Sequence, residues 1–286
     1  MQRDFIVGSE WIYYKIYSGT RSADIILATV VEPLVNELLE KGIIDKYFFI
    51  RYADPNFHIR LRLHTSDPSQ FLSVIINALY SRLDPYVKSK VVYDLQLNIY
   101  KREIERYGAH TIEDSESIFY LNSRFILGLV RSLDEDDLDA RWLSGILFMD
   151  TFLDDFGLDL YQKKMFTASL AASFGEEFGS TKETKKHLGG KFRRYREQIS
   201  LVLENSQEDD VQELLAMHSR DSKAIIARIL EKNSGGTLNN LLASYIHMHC
   251  NRLFQNKQRA HEWLLYDMLA MYYQGKLARK QKMLTI

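Results

Sequence analysis

Strand-like alternation confined to the first third of the chain, followed by apolar stripes at three-to-four spacing, predicts an α+β protein. Its N-terminal part, residues 1–132, reads as a mostly antiparallel sheet with helices. Its C-terminal part, 133–286, reads as mainly helical. Three stretches carry this prediction. Residues 47–64, YFFIRYADPNFHIRLRLH, are two apolar runs flanking Asp54-Pro55-Asn56, a triplet of turn-forming residues, and form a predicted hairpin. Residues 91–100, VVYDLQLNIY, alternate again, with Leu95, Leu97 and Ile99 opposite Asp94, Gln96 and Asn98. From Thr111 onward strand signals fade and helical stripes take over.

In chain order, the aromatic and β-branched run Trp11-Ile12-Tyr13-Tyr14-Lys15-Ile16-Tyr17 is a strand ended by Gly19. Residues 23–41 are helical, with Ile26, Val30, Leu34, Leu38 and Leu39 as the apolar stripe. Pro33 either kinks this helix or starts a new one, and Gly42 after Lys41 closes it. In the second strand of the hairpin, Ile59, Leu61 and Leu63 point one way and His58, Arg60, Arg62 and His64 the other. That cationic row is either the wet face of a half-buried strand or an anion-binding wall, a role suited to the planar guanidinium fork. Asp67-Pro68 opens the next helix. After the 91–100 strand, Glu103 and Arg106 share one face of a helical turn, the spacing of a surface ion pair.

Thr111 with Asp114 resembles a capping box opening a helix to about Arg131. The acidic run Asp134-Glu135-Asp136-Asp137 suits a helix N-terminus, and Trp142, Ile146, Met149 and Leu153 form the following stripe. Residues 161–174 continue in helix. Gly175, Gly179 and Gly189-Gly190 interrupt the pattern without forming a phosphate-loop motif. Lys191-Phe192-Arg193-Arg194-Tyr195-Arg196 is a basic cluster, either a solvated helix face or a contact for acidic peptide or RNA. Residues 211–230 are amphipathic, Ser234-Gly235-Gly236 is a turn, and Thr237 is a helix N-cap. On the helix after it, Asn240, Ser244, His247 and Asn251 recur on one face. Such a polar ladder needs partners. His247 and His249 are two apart and point away from each other, which argues against a metal site. A final helix spans 259–277.

Composition narrows the function classes. A chain of 286 residues that is 46% hydrophobic buries an ample core and is expected to form a single domain over 1–286. With 37 basic and 38 acidic residues, net charge −1 argues against a general nucleic-acid binder. The single cysteine, Cys250, rules out a disulfide framework. No apolar run suits a signal peptide or a membrane span, so a cytoplasmic location is expected.

Three segments together resemble the elimination domain of class I lanthipeptide dehydratases, also described as the SpaB C-terminal or thiopeptide-type bacteriocin biosynthesis family. They are Phe48-Phe49-Ile50-Arg51-Tyr52-Ala53-Asp54-Pro55 with His58-Ile59-Arg60-Leu61-Arg62, then Tyr100-Lys101-Arg102-Glu103-Ile104-Glu105-Arg106-Tyr107-Gly108, and His247-Met248-His249-Cys250-Asn251-Arg252. The strand at 11–17 and the segment 262–272 fit as well. In the full-length family this domain follows a large glutamylation domain, so the resemblance implies a stand-alone subunit of a split dehydratase.

The implied reaction is β-elimination. A partner subunit esterifies Ser or Thr of a precursor peptide with glutamate from glutamyl-tRNA. This domain then removes the α-proton and expels glutamate, leaving dehydroalanine or dehydrobutyrine. Carried over by motif, Arg62, Arg106 and His247 are the expected catalytic residues, and His58, Arg60, Glu103 and Asn251 the expected substrate contacts. The chemistry fits these residue types: guanidiniums hold a carboxylate and stabilise developing negative charge, and an imidazole moves the proton. No metal or organic cofactor is expected, and neither is direct nucleic-acid binding. The resemblance implies as partners the precursor peptide, the glutamylation subunit and a second copy in a homodimer. Two alternatives stand beside this: the pyridine synthases of the same family, which join two dehydroalanines in a formal [4+2] cycloaddition and expel the leader peptide, and a non-catalytic leader-binding or docking subunit. The pyridine synthase branch is not expected to keep the full Arg/Arg/His set, so its presence here favours elimination.

Overall fold

The hairpin forms one side of a four-stranded antiparallel sheet, in a computed structural model that describes residues 1–133, 137–204, 210–233 and 238–284. The strands are β1 (Asp4–Phe5), β2 (Trp11–Ser18), β3 (Lys46–Ala53), β4 (Phe57–His64), β5 (Val92–Asn98) and β6 (Tyr100–Lys101). Their order is β3-β4-β2-β5, with β1 and β6 forming a separate two-stranded ribbon. Arg60 pairs with Ile50 on one side and Lys15 on the other, and Arg62 with Phe48 and Tyr13, so these side chains share one sheet face.

The helices are α1 (Ser22–Ile26), α2 (Glu32–Glu40), α3 (Pro68–Lys88), α4 (Ile104–Tyr107), α5 (Ile112–Ser132), α6 (Leu138–Asp155), α7 (Leu160–Glu177), α8 (Lys182–Glu204), α9 (Asp210–Lys232), α10 (Leu238–Leu253) and α11 (Gln258–Leu284). A π-wound turn, Leu27–Val31, joins α1 to α2. The backbone stays helical through Ser22–Ile26, Leu27–Val31 and Glu32–Glu40, so Pro33 marks a local change of winding next to the π-wound turn rather than a new helix. Gly42, at φ +64°, ends α2 in a Schellman pattern: Ile43 N–H donates to Leu38 O and Gly42 N–H to Leu39 O. Asp67 caps α3 by accepting from Gln70 N–H at 3.1 Å.

Several expectations are corrected. The cationic face of β4 is not wet: His58 is completely buried and Arg62 is 8% exposed, because helices and aromatic rings cover that side of the sheet as well. The alternation of β5, at one edge of the sheet, does not bury one face: the apolar Leu95 and Leu97, at 39% and 42%, stay exposed along with Asp94 and Gln96, as does Ile99 just beyond the strand. Thr111 stands at the N-cap of α5, but its hydroxyl donates back to the Tyr107 carbonyl, and Asp114 is taken by Arg228 and Lys232 of α9. Gly189-Gly190 lies inside α8, whose stripe of Phe192, Tyr195 and Ile199 packs on the core. Arg193, Arg194 and Arg196 face solvent on the same helix. Residues 134–136 of the acidic run, and the turn and cap expected at 234–237, lie outside the described residues.

One apolar cluster runs from Phe5 to Tyr273 and joins sheet to helices. At the sheet's other edge Phe49 N–H, which has no strand to bond, donates to Ser123 Oγ of α5 at 3.2 Å. This contact brings α5 alongside β3, and α10 packs there too. Among the described residues no helix is long and apolar enough to cross a membrane.

Candidate active site

Where the hairpin meets α4 and α10 lies a cavity of about 290 Å³. Phe48, Ile50, Tyr52, Arg60 and Arg62 line it from the hairpin; Tyr100, Lys101, Glu103, Arg106 and Tyr107 from β6 and the α4 turn; and His247, Met248 and Asn251 from α10. Six of the seven residues singled out in the sequence therefore meet in one cavity: Arg60, Arg62, Glu103, Arg106, His247 and Asn251.

The seventh, His58, does not line it. Its Nε2 accepts from Arg60 Nε–H at 3.0 Å, which leaves Nδ1–H to donate to the Asn56 carbonyl at 2.8 Å. With both nitrogens engaged and the ring tilted against Tyr17 at 4.6 Å, His58 steadies Arg60 from behind rather than meeting a ligand. Burial, the largest effect on its ring, lowers its pKa and keeps it the acceptor that Arg60 requires.

Arg62 is the unusual group. Its guanidinium lies among the rings of Tyr13, Phe48 and Tyr100, with centroids at 4.4, 5.0 and 5.1 Å, and Nε and Nη1 are buried with no hydrogen-bond partner. Burial pulls its pKa below the ordinary arginine range. A buried cation without a counter-charge is costly unless an anion completes it. Arg60 lies over the Tyr52 ring at 3.5 Å. Arg106 donates from Nε to Ser244 Oγ at 3.1 Å, and its Nη1 is 3.4 Å from Glu103 Oε2 at the half-exposed rim. Of the polar ladder on α10, Ser244 thus holds a site arginine, and Asn251 Nδ2 lies 3.0 Å from His247 Nε2. The other imidazole nitrogen, Nδ1, lies 2.8 Å from Glu262 Oε2.

Four groups of this neighbourhood escaped the sequence reading. Lys101 adds a cation and Tyr107 a wall. Arg252, buried behind the cavity, donates to Ser123 and Asn122, neither of which carries a charge. Burial pulls its pKa down to about 9, and the charge of Arg62 acts in the same direction. Glu262 is 2% exposed and comes from the next helix. Its one sequence signal was the fit of segment 262–272, which assigned it no role. Near the cavity, cations thus outnumber the single lining carboxylate, Glu103, and an imidazole stands beside them. Such a site can hold an anion and move a proton. Among the described residues no group of three or more His, Cys, Asp or Glu is arranged to hold a metal ion.

Known proteins share this arrangement's fold. The model of the lantibiotic biosynthesis dehydratase C-terminal family matches residues 11–273. Nisin biosynthesis protein NisB of Lactococcus lactis subsp. lactis is 26% identical over 93% of this chain. The match covers 25% of NisB, so the chain spans about a quarter of the length of that relative. The crystal structure of the tRNA-dependent lantibiotic dehydratase MibB from Microbispora sp. 107891 superposes with a TM-score of 0.75 at 20% identity, covering 96% of this chain and 29% of that one. TbtD, the pyridine synthase from thiomuracin biosynthesis, superposes with a TM-score of 0.66 at 12% identity, covering 93% of this chain and 99% of that one. The family match extends over most of the chain and spans every segment that lines the cavity, and the chain belongs to the lantibiotic biosynthesis dehydratase C-terminal family.

Proposed function

We propose that this domain eliminates glutamate from glutamylated Ser or Thr of a ribosomal precursor peptide, giving dehydroalanine or dehydrobutyrine. The observation that carries the reading is the buried, uncompensated guanidinium of Arg62 in the same cavity as His247. His247 Nε2 takes the α-proton of the esterified residue. The Cα–H electron pair becomes the second bond of Cα=Cβ, the Cβ–O bond breaks, and glutamate departs as a carboxylate with the Cβ–O pair. Negative charge passes through the peptide carbonyl on the way, and Arg106, which lines the cavity, is the fixed cation that stabilises it in this reading. Arg62 and Arg60 hold the free carboxylate of the glutamyl group and the carboxylate that leaves, and Glu103 faces the group's ammonium. The precursor peptide arrives from a glutamyl-tRNA-dependent subunit in the cytoplasm, and a second copy of the chain completes a homodimer.

The second reading, pyridine formation between two dehydroalanines, draws support from the fold shared with the pyridine synthase TbtD. One experiment separates them. The purified protein is given a chemically glutamylated peptide and, in parallel, a peptide carrying two dehydroalanines, and both are followed by mass spectrometry. Loss of glutamate from the first alone supports elimination. A cyclised product with release of the leader from the second supports the alternative, and binding without conversion of either points to a docking subunit. In the first case His247→Ala should leave glutamylated peptide bound and slow its conversion by about 10²–10⁴-fold.

A further inference from the structure

The imidazole of His247 is held from both sides by groups that constrain its protons. Glu262 Oε2 lies 2.8 Å from Nδ1, and a carboxylate can only accept there, so Nδ1 carries a hydrogen. On the other side Asn251 Nδ2 lies 3.0 Å from Nε2 and donates to it, which marks Nε2 as the bare nitrogen. Asn251 also lines the cavity, so Nε2 is the nitrogen on the cavity side. Glu262 is buried behind the ring, its Oε1 3.5 Å from the Tyr266 hydroxyl and its Oε2 4.0 Å from Arg259 Nη1. The arrangement is a carboxylate–histidine pair in which the acid sits away from the ligand side.

We propose that Glu262 is a positioning residue for the proton-transfer step: it fixes His247 in the Nδ1–H tautomer, presents the Nε2 lone pair to the substrate, and balances the imidazolium that forms when Nε2 takes the proton. No proton passes to Glu262. The Asn251 amide holds the lone pair until substrate displaces it, and by turning its oxygen inward it accepts from Nε2–H after transfer. This inference rests on the elimination reading for its catalytic consequence, whereas the tautomer itself is independent of any reaction.

The test compares Glu262→Gln, which keeps an acceptor oxygen and the shape, with Glu262→Leu, which removes the acceptor. Nitrogen-15 NMR of labelled His247 reads the tautomer directly, and turnover of the glutamylated peptide reads the consequence. Expected is an Nδ1–H signature in the wild type, retained in part by Glu262→Gln and moved to Nε2–H in Glu262→Leu. Turnover should fall in the same order, with kcat reduced about 10²-fold or more in Glu262→Leu and KM changed little. A wild-type Nε2–H signature, or an unchanged tautomer and kcat in both variants, overturns the proposal. A wild type that shows the Nδ1–H signature yet never releases glutamate overturns the elimination reading and leaves the tautomer assignment standing. If Glu262→Leu fails to fold, Glu262→Gln decides: wild-type tautomer population and wild-type kcat together count against the role.

Discussion

Two arginines of one hairpin, Arg51 on β3 and Arg62 on β4, are both buried and have opposite surroundings. Arg51 is paired with Asp24 through Nη2 and donates from Nε to the Arg252 carbonyl at 2.8 Å. Asp24 also accepts from Arg141 at 2.8 Å and from Gln255, and Arg141 donates to the Leu253 carbonyl at 2.8 Å. Burial alone would raise the Asp24 carboxyl, yet the two guanidiniums hold it below the ordinary carboxylate range. Arg62 has aromatic rings where Arg51 has a carboxylate. The first cation finds its counter-charge within the chain and ties α10 to the sheet. The second has none, and that separates a structural charge from one suited to a ligand.

Unfolding measurements can break this contrast. The largest effect belongs to Asp24→Ala. It leaves two buried guanidiniums uncompensated and should destabilise the fold by about 3–5 kcal/mol in a urea titration. A smaller effect tests a buried group that has neither a partner nor a place in the cavity. His218 is 2% exposed, and neither ring nitrogen has a hydrogen-bond partner among Phe125, Phe148 and Phe152. Burial, with the nearby charge of Arg124 adding to it, lowers its pKa to about 4. Between that value and the unfolded pKa of about 6.5 the unfolded chain binds the extra proton, so stability is lost as pH falls through this window, by about 3 kcal/mol at most. His218→Phe should remove that part of the acid-side slope. The smallest change in stability belongs to Arg62→Met, expected within about 1 kcal/mol of wild type, because no ion pair is broken and an unsatisfied guanidinium is removed. The same variant should lose turnover of the glutamylated peptide by about 10²-fold or more. A large destabilisation by Arg62→Met would make that arginine another Arg51.

The sheet was legible because alternation and turn chemistry are local. The hairpin of β3 and β4, the strand β5 and the helix start at Pro68 all rest on neighbours in sequence. The cavity was legible only as three separate segments, and the resemblance supplied their conjunction. What escaped is what folding brings together over distance. Asp24 meets Arg141 across 117 positions, and Arg51 meets the α10 carbonyl across 201. His58 reads as one more cation in an alternating row, and only its contact with Arg60 gives it a supporting place. Glu262 reads as one acid on an amphipathic helix until α11 sets it against His247. The exposed residues of β5 mark the limit of alternation as evidence: the pattern identifies a strand, while the elements that pack on it, α5 and α10 for the other edge strand β3, determine whether its apolar residues are covered.

The capping of α10 by Arg51 and Arg141 has a kinetic corollary. Its last two carbonyls, Arg252 and Leu253, are bonded to guanidiniums from β3 and α6, so the final turn of α10 cannot fray without extracting two buried charges from Asp24. Amide hydrogens of that turn and of the central strands β4 and β2 should exchange with solvent only through openings close to global unfolding. The α4 turn, where Glu103 and Arg106 are 58% and 39% exposed, should exchange far sooner. Breathing at the mouth of the cavity is thereby uncoupled from its floor: a ligand can enter on the timescale of a loop while Arg62 and His247 keep their separation for the lifetime of the folded state.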